Sequence, residues 1–393
     1  MTADMIKKEG IKMKDKNTEE LLKQQVLDIM DEDKSPHIDN KKPKKGKKKK
    51  HRFLKGVGIT LLVILALLLF AVGTKPGRSL LYKAASKFVY SNVQHNAPNE
   101  EDKEVISNRK PAENVVREDH VYNYLIFGIE EIGGARNTDA MMIGTINTKD
   151  GKLKLTSLLR DSYVDIPGYK ANKLNSAYSR GGAELLIETI EKNYKIQIDG
   201  YASVNFDKFE KIVDLLGGVE IELGKEEAKY LNKTNYISKK SNRNVVPGVN
   251  KLNGNQVMGY VRVRKVKTLG GANYDYGRVV RQQRALNAMF DSLKSSKNLL
   301  KIIPISTQAL SYVTTDLDQK QIENMMEAVI ENKATKLETF RLPVDGAFDA
   351  PKKYNGIGYP IVIDWETNRI ELYQFIFGYT KEEAKAALDK VDK

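Results

Sequence analysis

Arg262, Arg264, Arg278, Arg281 and Gln282 fall within one short stretch of the chain, and Arg284 lies just beyond it. A guanidinium stays charged and presents a planar fork that can grip phosphate oxygens two at a time. A set of them beside a side-chain amide therefore suits a phosphate-rich ligand. The plainer reading is a solvated basic helix face. Against it stand Gln282 within that face, Asp275 just before it, which can cap the helix or hold an arginine, and Gly270, Gly271 and Gly277, which allow close backbone approach. Three smaller groups upstream could serve the same ligand. Glu130 follows Gly128-Ile129, and Arg136-Asn137-Thr138-Asp139 comes soon after. Glu130 and Asp139 are either solvated loop acids or ligands of Mg²⁺, or of Mn²⁺ in its place. Mg²⁺ takes a few carboxylates together with water and phosphate oxygens. Arg160-Asp161 is either a structural ion pair or an arginine aimed at phosphate. Lys173-Leu174-Asn175 is either an ordinary helix start or a contact to phosphate or sugar.

Several other chemistries are excluded by what the chain lacks. It has no cysteine, hence no disulfide, thiolate nucleophile or cysteine-bound metal. Its four histidines are His37, His51, His95 and His120, and only His120 borders the folded region. A Ser-His-Asp hydrolase and a histidine-rich zinc site both need imidazoles that are not there.

The position of the arginines relative to a membrane narrows the ligand. The chain has 393 residues and a net charge of +14, but ten basic residues without a single acid lie within 41–55, leaving only +4 for the rest. The charge is local, so it does not describe a nucleic-acid-binding face, and no nucleic-acid partner is expected. Directly after this basic run, residues 56–73 (GVGITLLVILALLLFAVG) carry no charge. Their length suits one spanning helix. The long tail before them and the lack of a clear cleavage site argue for an uncleaved anchor rather than a signal peptide. Basic residues flanking a span stay cytoplasmic and sit well against anionic membrane lipid, so the arginine cluster is expected outside the cell. Free nucleotides are scarce there, and a lipid-linked phosphate becomes the better ligand.

The expected organisation is a cytoplasmic basic tail over 1–52, a transmembrane helix over 53–74, a stalk over 75–118, a catalytic domain over 119–380 and a tail over 381–393. Within the tail, residues 17–30 could form a short amphipathic helix, and within the stalk, residues 81–93 could be helical. Strands are expected at 121–128, 140–147 and 152–158, the last two joined by an Asp150-Gly151 hairpin turn. Further strands are expected at 201–205, 219–223, 340–342 and 359–363, and helices at 183–194, 207–216, 252–261, 276–293, 322–330 and 369–377. Spacings of three and four residues put Arg278, Arg281, Gln282 and Ala285 on one helix face. Strands and helices alternate, which points to an α/β fold with a mixed central sheet covered by helices on both faces.

Taken in order, these pieces resemble the LytR-CpsA-Psr family of extracytoplasmic cell-wall transferases. The resemblance runs through Gly128 and Glu130, Arg136-x-x-Asp139, Leu159-Arg160-Asp161 and Lys173-Leu-Asn175-x-Ala177-Tyr178. It continues through Asn205-Phe206-x-x-Phe209, Val213-Asp214-Leu-Leu-Gly217-Gly218-Val219 and Leu252-Asn253-Gly254. Tyr260-Val261-Arg262-Val263-Arg264 and Asp275-Tyr-Gly277-Arg278-x-x-Arg281-Gln282 close it. Two positions depart from the family pattern: Glu130 stands where Asp is frequent, and Leu159 where proline is usual.

The resemblance implies a reaction. An anionic glycopolymer would pass from a polyprenyl pyrophosphate carrier to the muramic acid of peptidoglycan through a phosphodiester. Arg262, Arg264 and Arg278 would carry the transfer with Arg136 beside the metal-site acids Glu130 and Asp139. Arg160, Lys173 and Gln282 would hold the pyrophosphate, and Arg281 would either join them or lie on the helix surface with Arg284. Val213, Leu216 and Val257 would wall an apolar tunnel for the lipid. Phosphoryl transfer asks mainly for positioning and charge neutralisation. With so few histidines the base for the sugar hydroxyl must be a carboxylate or water, and Asp161 is the candidate. The competing readings are a cell-envelope regulator of transcription and a module that binds wall polymer without chemistry.

Overall fold

A computed structural model of the chain describes residues 70, 73–95, 112–132, 135–294, 307–331 and 337–392. The basic tail and nearly all of the apolar run at 53–74 lie outside these residues. Among the described residues no helix is long and apolar enough to cross a membrane.

Helix α1 (Lys75–Asn92) begins at Thr74, whose hydroxyl accepts from the Gly77 amide, and leads into a short strand, β1 (Gln94–His95). The domain is built on a meander of β2 (Val121–Ile132), β3 (Ala135–Asn147) and β4 (Lys152–Leu158). A small ladder of β5 (Tyr163–Val164) and β6 (Asn172–Lys173) leads into α2 (Asn175–Tyr194). Then come β7 (Gly200–Asn205), α3 (Phe206–Leu215), β8 (Val219–Leu223), α4 (Lys225–Lys233), β9 (Gly248–Leu252), α5 (Gly254–Arg262) and α6 (Tyr274–Lys294). The remainder comprises β10 (Val313–Thr315), α7 (Gln319–Glu331), β11 (Leu337–Leu342), four two-residue strands β12 (Phe348–Asp349), β13 (Lys353–Tyr354), β14 (Ile357–Gly358) and β15 (Val362–Ile363), and helices α8 (Trp365–Phe377) and α9 (Lys381–Val391).

The main sheet has seven strands in the order β1-β10-β7-β2-β3-β4-β11. It is mixed: β7 runs parallel to β2 and β11 parallel to β4, while β2, β3 and β4 alternate in direction. Successive strand residues face opposite sides, and both sides are covered. Leu125, Phe127 and Ile129 enter a core shared with α2 and α8. Tyr124 and Ile146 face the other way, against Ile322 and Ala328 of α7.

The β2–β3 hairpin holds the feature that matters most for the site. Gly128 pairs with Ala140, but Ile129 pairs with Thr138, so Asp139 is an extra residue without a partner. Such a bulge re-aims the side chain it carries. Without it, Asp139 and Ala140 would face opposite sides of the sheet; with it, both border the same cavity.

Several boundaries differ from the sequence expectation for identifiable reasons. Strands β2 and β3 run past Gly128 and start before Ala140, since backbone pairing in a hairpin arm needs no apolar side chains. Helix α2 starts eight residues earlier than expected and is broken at Gly181 and Gly182, the latter at φ 64°. Leu252 belongs to β9, and Asn253 caps α5 through the Gln256 amide. Gly254 is required there because a Cβ would sit 2.0 Å from the Glu210 carbonyl oxygen, so α3 and α5 could not pack. The expected stalk helix is part of the domain: Arg78 and Tyr82 of α1 both bond Glu331 of α7. Residues 381–391, expected as a tail, form α9, capped by Thr380 and Glu383, with Ala384 and Leu388 buried in the main core.

Candidate phosphate and lipid site

Between one face of β2 and β3 and helices α3, α5 and α6 lies a cavity of about 350 Å³. Its apolar wall comes from Ile126 and Met142 of the sheet, Ile212 of α3, Met258 of α5, and Leu286 and Met289 of α6. Its polar lining is Asp139, Arg262, Arg264, Arg278 and Gln282. Helix α6 supplies both characters from one face: Arg278 and Gln282, then Ala285, Leu286 and Met289 one turn further on. Gly128 keeps the cavity open, because a Cβ there would meet the Phe206 ring at 2.7 Å.

The charged groups form one connected network. Arg160 donates to Asp139 Oδ1 at 2.6 Å, and Arg278 Nη1 lies 3.5 Å from Asp139 Oδ2. Arg264 donates to Asp275 Oδ2 at 2.6 Å. Arg278 Nη2 lies 2.7 Å from Asp275 Oδ1 but out of hydrogen-bond alignment, so that oxygen and Arg278 Nε are both buried without a hydrogen bond. Arg262, 45% exposed, pairs with Glu130 and lies over the Phe206 ring. Burial pulls the Arg278 guanidinium below its ordinary pKa, Arg160 adds to the fall, and Asp275 and Asp139 oppose it. Burial acts on Arg160 too, but the charge and hydrogen bond of Asp139 outweigh it and hold that guanidinium above its ordinary value. Of the cavity arginines Arg278 is the most deeply buried, and its Nε has no hydrogen bond.

The other expected residues fall in different places. Asp161 does not line the cavity; it sits 2.9 Å from Lys173 Nζ and 3.5 Å from Arg160 Nε. Lys173 reaches the site only through that carboxylate. Arg136 is in β3, opposite Glu131, and its side chain lies outside the described residues. Arg281 neither lines the cavity nor lies on the surface. It is fully buried, with Nε on Glu227 at 2.8 Å and its Nη atoms on the Val263 and Val266 carbonyls. Val213, Leu216 and Val257 belong to the packed core rather than to the cavity wall. Ile212 and Met258, adjacent to Val213 and Val257, take wall positions, since adjacent helical residues point about 100° apart. Asp275, expected as a helix cap or as the partner of an arginine, holds two arginines and bridges Arg264 and Arg278.

For the divalent cation, the donor set can be tested on its chemistry. Among the described residues no group of three or more His, Cys, Asp or Glu side chains could hold a metal ion. Asp139 and Glu130 are each engaged by arginine. They make no all-protein cage, and a Mg²⁺ ion there would need water and substrate phosphate to complete its shell.

The fold and site together define a mixed α/β protein with an apolar cavity bordered by arginines. Residues 86–368 match the model of the LytR_cpsA_psr family, and the chain belongs to that family. It is similar to the regulatory protein MsrR of Staphylococcus aureus (strain COL), with 29% identity over 264 residues, 66% of this chain and 76% of MsrR. It is similar also to TagU of Oceanobacillus iheyensis, a polyisoprenyl-teichoic acid–peptidoglycan teichoic acid transferase, with 27% identity over 339 residues, 83% of this chain and 95% of TagU. The crystal structure of Bacillus subtilis TagV superposes with a TM-score of 0.51 at 25% identity, covering 70% of this chain and 99% of TagV.

Proposed function

We propose that this protein is a membrane-anchored phosphotransferase of the cell envelope, which moves an anionic glycopolymer from a polyprenyl pyrophosphate carrier to peptidoglycan. The observation that carries the proposal is the double character of one cavity, apolar along Ile126, Met142, Met258 and Leu286 and cationic at Arg262, Arg264 and Arg278. The prenyl chain lies along the apolar wall and the pyrophosphate meets the arginines. A hydroxyl of the acceptor sugar attacks the phosphorus that bears the glycopolymer. The new P–O bond forms as the bridging P–O bond breaks, prenyl phosphate leaves with the electron pair, and the hydroxyl proton passes to a carboxylate or to water. Arg278, with its buried and unbonded Nε, stabilises the charge that grows on the leaving phosphate. Arg160 holds Asp139 in place, and Asp161 orients Arg160 and Lys173 rather than taking the proton. Mg²⁺ would be held by Asp139 and Glu130, and when bound it would offset pyrophosphate charge. The anchor at 53–74 would place the domain outside the cytoplasm.

The test uses the full-length protein in detergent with a lipid-linked polymer and purified sacculi. Arg262→Ala, a change at a half-exposed side chain, and Arg278→Ala should each abolish transfer while the thermal transition remains cooperative. Full transfer with both arginines gone would overturn the proposal. MsrR is named a regulatory protein, which leaves room for a second reading of this chain, a regulator acting on transcription. That reading requires residues 121–393 to be inside the cell, and protection of that region from protease added to intact protoplasts would favour it.

A further inference from the structure

Beside the arginine network stands a group of tyrosines that the cavity does not use. Tyr163 of β5 follows Asp161 by two residues and pairs across the ladder with Lys173. Its ring meets that of Tyr354 edge-on, with centroids 5.1 Å apart, and Asn355 Nδ2 donates to its hydroxyl at 3.3 Å. Tyr354 lies on a tight hairpin of β13 and β14, whose turn residues Asn355 and Gly356 both have positive φ, 46° and 85°. The same hairpin carries Tyr359, 71% exposed and also at positive φ, 51°. A tyrosine at such an angle is uncommon and costs energy, so ordinary surface composition does not account for it.

The hairpin is fixed to the active region by backbone bonds. Ile361 N donates to the Asp161 carbonyl at 2.8 Å, and Tyr163 N donates to the Ile361 carbonyl at 2.7 Å. On its other side the segment leans on α6, where Phe348 packs against the tilted ring of Tyr276, two residues before Arg278. A chain of contacts thus runs from the cavity through Asp139, Arg160 and Asp161 to the tyrosine hairpin. An open depression of about 510 Å³ lies on the hairpin, bordered by Asp349, Pro351, Tyr354 and Val362.

We propose that this hairpin is the acceptor subsite, and that Tyr354 and Tyr359 stack on pyranose rings of a peptidoglycan glycan strand. The inference rests on the function proposed above and names where its second substrate binds. A pyranose offers a flat face of C–H bonds, which an aromatic ring covers, and an edge of hydroxyls, which Asp349 and Asn355 can meet. The donor takes the arginine-bordered cavity, so the acceptor must approach the network from another side. The exposed Lys352 and Lys353 also suit the carboxylates of stem peptides on such a strand.

The experiment measures two affinities on the full-length protein in detergent: pelleting with sacculi stripped of wall polymer, and titration with geranylgeranyl diphosphate. Tyr354→Ala and Tyr359→Asn remove one ring each, and asparagine tolerates the left-handed backbone at 359. Each should weaken sacculus binding and raise KM for the acceptor by about tenfold, as expected for loss of one stacked ring. The turnover number and the diphosphate affinity should not change, and Tyr354→Trp should retain acceptor binding. Unchanged sacculus binding by the double variant would overturn the proposal, and so would a parallel loss of diphosphate binding. Failure of the wild-type protein to bind the diphosphate would instead sink the transferase reading, whatever the sacculi show.

Discussion

Replacing Arg281 tests the physical separation between ligand and framework in the arginine stretch. Its side chain is fully buried, and the carboxylate it faces, Glu227, is 1% exposed. That carboxylate also accepts from Gly224 N at 3.0 Å and Leu269 N at 3.2 Å, so one buried cluster joins the start of α4 to the loop before α6. Arg281→Ala would leave Glu227 charged and unpaired and would strip the Val263 and Val266 carbonyls of their donors. Breaking one side of a buried ion pair costs about 3–5 kcal/mol. At about 2–4 °C per kcal/mol for a large domain, the melting temperature should fall on the order of 10 °C. Glu227→Gln with Arg281→Met removes both charges yet keeps an oxygen for the two backbone amides, so it should recover most of that loss. Arg281→Lys should recover little, because an ammonium cannot reproduce the three-way fork. Circular dichroism melts run beside geranylgeranyl diphosphate titrations decide the matter. If Arg281→Ala melts within about 2 °C of wild type, a change worth no more than about 1 kcal/mol, and has lost diphosphate binding, Arg281 is a ligand and the buried-pair argument is wrong.

Three further outcomes are expected. Gly128→Val would push the Phe206 ring, which a Cβ already meets at 2.7 Å, into the cavity; losing two methylene contacts at about 0.8 kcal/mol each should weaken prenyl diphosphate binding about tenfold and leave inorganic pyrophosphate unaffected. Glu130→Gln removes the counter-charge of Arg262, so without divalent cation the diphosphate affinity should rise by up to about fivefold, the worth of an exposed pair. With Mg²⁺ present the same change should slow transfer, and equal behaviour in both conditions would show that Glu130 does not touch a metal. Glu331 is held below its ordinary 4.5 by hydrogen bonds from Arg78 and then Tyr82. A lowered carboxyl contributes fully above its unfolded value and loses that contribution as pH falls through the folded one, so the difference in unfolding midpoint between wild type and Glu331→Gln should be constant above pH 4.5 and shrink below it.

Much of the fold could be read from local pattern, and the failures share a cause. The β4 strand and the β8 strand have the expected limits, because alternation and turn residues are local signals. The arms of β2 and β3 beyond Gly128 could not be read, since their pairing is set by the partner strand and not by burial. The bulge at Asp139 is of the same kind: it exists only in the register of two strands, and no single strand announces it. The arginines could be read as a group but not sorted. Arg278 and Arg281 are one helical turn apart and both almost fully buried, yet one borders a cavity and the other meets Glu227, an acid in α4 that lay in a stretch without an assigned element. The cavity lining differs from the expected wall by one residue on each of two helices, Ile212 for Val213 and Met258 for Val257, because α3 and α5 have apolar faces wide enough to serve core and cavity at once.

The pairing of every described cavity arginine with a carboxylate has a thermodynamic consequence. Arg262 holds Glu130, Arg264 and Arg278 share Asp275, and Arg278 shares Asp139 with Arg160. Burying Arg278 bare would cost several kcal/mol, so its carboxylates help the cavity to exist before the ligand arrives. Binding pyrophosphate is then an exchange of anions and not a new neutralisation, and its net gain is much smaller than the sum of the contacts. The exchange falls unevenly. Arg262 is half exposed and its pair is worth little, so it releases Glu130 easily; Arg278 is buried, has a free Nε, and has its charged form disfavoured. Phosphate should therefore enter by displacing Glu130 from Arg262 and settle on Arg278. If so, Arg262→Ala should mainly slow association in low salt, where exposed charge steers most strongly. Arg278→Ala should mainly speed dissociation, and the reverse pattern would place the tighter phosphate contact at Arg262.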